Sequence, residues 1–395
     1  MEILLEQRHE NHVDEKEEVA VTSEMAFVVD HGALMNALTI CGKVIPKSSA
    51  IPIMQTIKFD LNGDTLFITA VDVSQSVLQM MEVKNTGGVK GSYLFPAKEG
   101  IELIKRLPAG SLTLTRKESS VHVQYGKSGK ANLSVLDSDE FPALPVLGKT
   151  DMIPISLETL RRAAVTSLFT ATDEKTPALN GIHIYNHEGK LGFQATDRHR
   201  ISRFVSDIPI DTPETFLSSI VPAQNFKQIV DSLKDSVAIQ FAVTSTYLIL
   251  RDKNIVYFGR LIDATFPDLS VAFKGIDQGI TITLSKEELD KTLYRALSLD
   301  AQNNRVTLEV DTTGEFVVHT QSKNSALTEG FPTAILDANA SFPVMKFNGK
   351  YLREALLLGN RETKNVQIRV SGSKNPGYLT LEGDPSVTAV LLPCL

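Results

Sequence analysis

The stretch IPISLETLRRAAVTSL, Ile153–Leu168, reads as a short strand, a capping residue and an amphipathic helix in direct succession. Ser156 can accept a hydrogen bond from the amide of Thr159 and so mark a helix start. After it Leu157, Leu160, Ala164 and Leu168 return at intervals of three or four, the spacing of one helical face. The same phrase occurs at Phe27 (FVVDHGALMNAL), Leu94 (LFPAKEGIELIKRL), Ile220 (IVPAQNFKQIVDSL), Ile282 (ITLSKEELDKTLYRAL) and Met345 (MKFNGKYLREALLL). In the fifth copy Ser285 with Glu288 forms the S-x-x-E capping pattern. The intervals between copies are 67, 59, 67, 62 and 63 residues, so the chain is an internal repeat of six units.

Between the helices the period drops to two. Leu112 and Leu114, then Val121, Val123 and Tyr125, alternate with polar neighbours, as do Val237, Ile239 and Phe241 and then Leu248 and Leu250. Turn residues such as Asn62-Gly63-Asp64 and Thr313-Gly314 separate these runs, which predicts antiparallel strands with one buried face. One helix on a few strands leaves apolar surface uncovered, and pairing two such units covers it. The expected fold is α+β, with domains at 25–148, 152–275 and 279–395. The phrases EFPALP (Glu140–Pro145) and TFPDLS (Thr265–Ser270) lie 125 residues apart, one domain length. The connecting segments Val146–Met152 and Phe273–Gly279 are short, which favours fixed packing of the domains.

Charge is unevenly spread. The chain carries −7 in total, and residues 1–24 alone carry −6, with eight acids against Arg8 and Lys16. That segment lacks an apolar period and is expected to be an acidic flexible extension; Met25 opens the patterned sequence. The six helical windows hold 14 Lys/Arg against 9 Asp/Glu, so the helices are the basic layer of an acidic protein. Two readings fit this layer: solvated helix faces, or helices that together face a polyanion. Two cysteines, Cys41 and Cys394, suit a reducing cytoplasm better than a disulfide framework. No apolar run approaches the roughly 20 residues of a membrane span, and the charged start does not read as a signal peptide.

Enzymatic readings are weak. Asp197, His199 and Arg200 cluster in the manner of an acid–base site. No second motif has metal-ligand spacing, and neither a P-loop nor a dinucleotide-binding loop is present. His9, Glu10 and His12 fall in the acidic extension, where a metal site would not be preorganised. No catalysis, metal or cofactor is expected.

Three phrases resemble the bacterial replicative sliding clamp family, the beta subunit of DNA polymerase III: LNGIHIYNHEGKLGFQATDRHRIS (Leu179–Ser202), RLIDATFPDL (Arg260–Leu269) and VLLPCL (Val390–Leu395). The resemblance spans about Met25 to Leu395. It implies three tandem clamp domains closing as a head-to-tail homodimeric ring, with helices lining the hole and sheets outside. Its implied partners are double-stranded DNA without sequence preference, DNA polymerase III, clamp loader subunits and other proteins with a clamp-binding motif. Sequence-independent phosphate contacts from Lys and Arg suit a protein that slides. The implied DNA-facing residues are Lys98, Lys105, Arg106, Arg161, Arg162, Lys227, Lys234, Lys350 and Arg353, with Lys47 and Lys175 in loops. Ser48, and Ala223 with Gln224, depart from the family's basic pattern. A partner-peptide pocket is implied, with one wall at Leu179, Thr196, Arg198, His199, Arg200 and Ile201, and the other at Pro267, Ala272, Val390, Leu392, Pro393 and Cys394. Arg198 stands where the family usually has a small residue. The dimer contact is implied at Ala131 and Leu297, with Ala131 smaller than the aromatic common there. A specialised clamp paralogue and a protein-interaction scaffold without DNA are the alternatives.

Overall fold

A computed structural model describes residues 24–148, 150–173, 175–210, 218–233, 238–299, 304–332, 334–336, 342–360 and 362–394. The acidic extension, apart from Glu24, and Lys234 lie outside the described residues. Among the described residues there are six α-helices: α1 His31–Val44, α2 Ala97–Arg106, α3 Leu157–Val165, α4 Ala223–Ser232, α5 Lys286–Leu299 and α6 Gly349–Ala355. Each directly follows a strand, or follows it across one capping residue, as the repeated phrase predicts.

The helix starts are built from side chains in the phrase itself. Asp30 accepts from the Ala33 amide at 2.9 Å, and Ser156 from Thr159 at 3.0 Å. Ser285 accepts from Glu288 at 3.3 Å, while Asn348 takes the amides of both Lys350 and Tyr351. Each bond satisfies an amide that has no partner in the first helical turn. The buried faces follow the three-four spacing, as with Leu160, Ala163 and Ala164 in α3.

The described chain forms two compact units. The first contains residues up to 154 together with 232–260, the second 155–231 together with 261–395. The expected block 152–275 is therefore shared between them. Its strand Ile255–Arg260 pairs antiparallel with Gln75–Glu82, Tyr257 opposite Val77, which joins the two half-units into one eight-stranded sheet. Phe67, Leu78, Ala242, Ile249, Val256 and Phe258 pack as one cluster across that seam. The first unit also holds a five-stranded sheet ending at Gly129–Ser134. Close packing beneath α2 requires Gly100, where an added Cβ would stand 2.0 Å from the Phe95 ring.

In the second unit, Arg200–Pro209 pairs antiparallel with Asp384–Leu391, Ile201 opposite Val390, at the centre of a nine-stranded sheet. A four-stranded sheet ends at Ala326–Phe331. Six strands thus hold equivalent places, each the third of a consecutive antiparallel trio: 75–82, 129–134, 200–209, 255–260, 326–331 and 384–391. Four of them meet one another in pairs. The other two, Gly129–Ser134 and Ala326–Phe331, are outer edges.

Candidate partner-peptide pocket and basic helices

The nine-stranded sheet places the two expected pocket walls side by side. Leu179 is buried with Ile220 and Phe266. Ile201 and Val390 are buried with Phe273 and Tyr378, and Leu269 packs against both clusters. The segment carrying Phe266, Leu269 and Phe273 accordingly lies docked on the sheet rather than serving as a plain linker. Tyr378 Oη fixes it by donating to the Ala272 carbonyl at 3.0 Å. Pro267 and Leu392 are exposed, while Ala272, Pro393 and Cys394 are half-buried. The tail is held by its backbone, with the Leu392 amide donating to His199 O at 3.0 Å and that of Cys394 to Lys346 O at 2.7 Å. An apolar floor with exposed apolar edges and a few fixed polar groups is what an anchor-bearing peptide needs.

One end of this floor is a rigid turn between strands 190–196 and 200–209. Thr196 Oγ1 donates to Arg200 O at 2.7 Å and accepts the Arg198 amide at 3.1 Å. Asp197 Oδ1 accepts the amides of His199 and Arg200, and its Oδ2 accepts Arg200 Nε at 2.9 Å. Arg200 is 6% exposed. Its guanidinium also binds the Glu354 carboxylate, donates to Leu168 O at 2.5 Å, and lies over the rings of Tyr351 and Phe169. A buried charge persists only when so fully partnered. Asp197 and Arg200 are thereby occupied in building the turn, and His199 projects to solvent.

Nearby, His183 is buried beneath Phe266, stacked at 4.5 Å between ring centroids. Its Nε2 is 2.8 Å from Ser218 Oγ, and its Nδ1 is 2.9 Å from Gln194 Nε2. Burial pushes its pKa down to about 4, so the ring is neutral.

The basic candidates fall into two groups. Lys47, Lys98, Lys105, Arg106, Arg161 and Lys175 are exposed, Arg106 with a loose i,i+4 contact to Glu102. Lys350 is exposed as well, 4.0 Å from Glu354. Three others are each held by an acid. Arg162 donates to Asp384 at 2.5 Å and Ser386 at 2.7 Å beneath Phe204. Arg353 is held by Asp290 at 2.7 Å under Tyr294, and Lys227 by Asp231 at 2.6 Å. Arg162, implied by the resemblance as DNA-facing, is turned into the protein and paired with Asp384.

Ala131 is half-buried at the open edge 129–134. Leu297 is half-buried on α5 beside Gly349. It also lines a groove of about 920 Å³ between α5 and α6, with Lys286, Asp290, Lys350, Arg353 and Glu354. Glu354, Tyr351 and Asp384 escaped sequence reasoning. The spacing of Phe266, Leu269 and Phe273 offered a signal for the docked segment.

Residues 25–145 match the model of the DNA polymerase III beta subunit N-terminal domain, and residues 155–268 that of its central domain. The chain belongs to the DNA polymerase III beta subunit family. The beta sliding clamp of Staphylococcus aureus is 26% identical over 386 residues, covering 93% of this chain and 99% of that protein. That of Staphylococcus epidermidis is 25% identical over 384 residues, with the same coverage of both chains. In fold, the chain is similar to the Bacillus subtilis DNA polymerase sliding clamp, with a TM-score of 0.84, 22% identity and coverage of 94% and 99%. The Streptococcus pyogenes DNA polymerase beta subunit matches with a TM-score of 0.84, 21% identity and coverage of 94% and 100%. Beta subunits of this family are non-catalytic clamps.

Proposed function

We propose that this chain is the processivity clamp itself: a ring subunit that encircles duplex DNA and tethers polymerase and other replication proteins through the pocket of the second unit. The observation that carries this reading is the set of six equivalent strands. Within the chain, half-units join third strand to third strand, giving sheets of eight and nine. The leftover sheets of five and four end at Gly129–Ser134 and Ala326–Phe331. Pairing those two edges between copies would make another nine-stranded sheet by the same junction, with Ala131 on one side and the α5 residue Leu297 near the other. Such a head-to-tail contact is heterologous and closes only as a ring. An unpaired edge otherwise invites uncontrolled association.

The three domains would be 25–148, 152–275 and 279–395, acting in the cytoplasm. Lys98, Lys105, Arg106, Arg161 and Lys350 would meet phosphates, with Lys47 and Lys175 assisting from loops. A modest basic lining suits mobility, because topology rather than affinity retains a closed ring. The pairing of Arg162 and Arg353 with acids equally favours a second reading, a scaffold of the same fold that does not hold DNA. The full chain loaded with its host clamp loader onto nicked circular DNA separates the two. A clamp stays bound in high salt and is released when the circle is cut, whereas equal loss from circular and linear DNA would overturn the ring. Removal of Leu392–Leu395 should weaken a polymerase-derived peptide about tenfold or more, as expected for losing one Leu-sized wall, while loading persists.

A further inference from the structure

The tightest local conflict in the pocket region is at Arg198. Its φ is +77°, in the left-handed region that a side chain normally avoids. Glycine would occupy that backbone freely. The conformation is enforced by the turn, since the Arg198 amide bonds Thr196 Oγ1 while Asp197 gathers the next two amides. A long cationic side chain at such a position carries a folding penalty without adding to the core, because it is 58% exposed. Backbone strain of this kind concentrates where a side chain has work to do.

That side chain reaches across to the loop bearing Leu179. One guanidinium nitrogen lies 3.4 Å from Asp173 Oδ2 and 3.5 Å from Thr176 Oγ1, both long contacts. Through its carbonyl, Thr176 in turn holds the Leu179 amide at 2.9 Å. The guanidinium therefore stands at the rim of the apolar cluster formed by Leu179, Ile220 and Phe266. Asp173 meets it through a single long contact. A guanidinium can offer two parallel N–H donors to a carboxylate, a better geometry than the one Asp173 provides.

We propose that Arg198 is a specificity-determining residue of the pocket, selecting partner peptides that set an Asp or Glu beside the residue anchored at Leu179. The inference rests on the peptide-pocket reading above. Asp173 acts as a resident competitor for the guanidinium. The partner's carboxylate gains only what an exposed, screened ion pair supplies, so selection is about two- to fivefold and falls with salt.

The test uses the full-length dimer and fluorescein-labelled eight-residue peptides. Each carries a Leu-Phe anchor pair, with Asp, Asn or Lys scanned through the other positions. Wild type should prefer Asp over Asn at one scan position by about two- to fivefold at low salt. Arg198→Gly should abolish that preference, read as the ratio of Asp-peptide to Asn-peptide affinity, and raise Tm by roughly 2 °C through release of the backbone. Arg198→Ala should lose the preference without that rise. Asp173→Asn should strengthen the preference by freeing the guanidinium. An Asp preference that survives in Arg198→Gly, or its absence from wild type at every position, overturns the proposal. So does an Arg198→Gly change in duplex oligonucleotide binding with none in peptide selection. If the Asn peptide instead binds wild type and a Leu392–Leu395 deletion equally, the pocket reading itself has failed.

Discussion

The junction at Arg200–Pro209 and Asp384–Leu391 and the edge at Gly129–Ser134 use the same place in the same repeated trio, yet one is closed and the other open. At the closed junction Ala389 and Ser202 are fully buried and face each other across the ladder. At the open edge Ala131 has a neighbour on one side only, Val123, and is half-buried. The burial pattern of the edge strand alternates between intermediate and exposed along its length. Identical topology thus yields a core in one place and an open edge in another, according to whether a second strand is supplied by the same chain.

Charge insertion is the strongest way to break this comparison. Ala389→Asp should cost about 4 kcal/mol or more, since a carboxylate would be buried without a partner in mid-sheet; denaturant melts would show it as loss of cooperative folding. Ala131→Asp should leave the melt of the separated chain nearly unchanged and shift light scattering from a dimer of about 87 kDa, twice 43.3 kDa, towards the monomer. A wild-type chain that is strictly monomeric at micromolar concentration would remove the basis for the comparison. With only an alanine at Ala131, the apolar part of the contact should be small, so dissociation on dilution should be readily measured.

A finer test sets the two junction sheets against each other. The strands of the nine-stranded sheet include His183, whereas those of the eight-stranded sheet carry no histidine. The folded pKa of His183 is about 4 against an ordinary 6.5. Above pH 6.5 the ring is neutral in both states and its full contribution is present. As pH falls from 6.5 towards 4 the unfolded chain takes up a proton that the fold excludes, and stability declines by about 2 kcal/mol. Hydrogen exchange should show strands 181–187 and 190–196 losing protection across that window before strands 65–71 and 75–82. His183→Gln should flatten the dependence; an unchanged slope would assign the acid lability elsewhere.

The smallest expected effect concerns the helices. Lys105→Ala should lower the slope of log affinity against log salt for duplex DNA by about one. Arg162→Ala should leave that slope alone and reduce stability instead, because Asp384 loses its buried partner.

That contrast shows where the sequence was legible. Helix starts, strand alternation and the six-fold repeat are local, and Ser156, Ser285 and Leu160 behave in the structure as their spacing predicts. Basic helices were legible as net charge. Which cations turn into the protein was not, because Asp384 lies 222 residues from Arg162 and nothing periodic links them. The same holds for Arg200 and Glu354, which are 154 residues apart. The strained backbone at Arg198 could be seen only once the turn around Thr196 and Asp197 was built. The division of 152–275 between two compact units was likewise hidden, since a strand's pattern records its buried face but not its neighbour.

The two thiols have a practical consequence for following any of this in solution. Cys41 is wholly buried in α1, with its pKa pushed up to about 12 by burial. Cys394 is half-buried in the tail beside the pocket. Thiol-directed reagents attack the accessible thiolate, so a maleimide dye should modify the folded protein at Cys394 alone. The natural sequence therefore offers single-site attachment of a fluorescent reporter at the pocket, with no cysteine to add or remove.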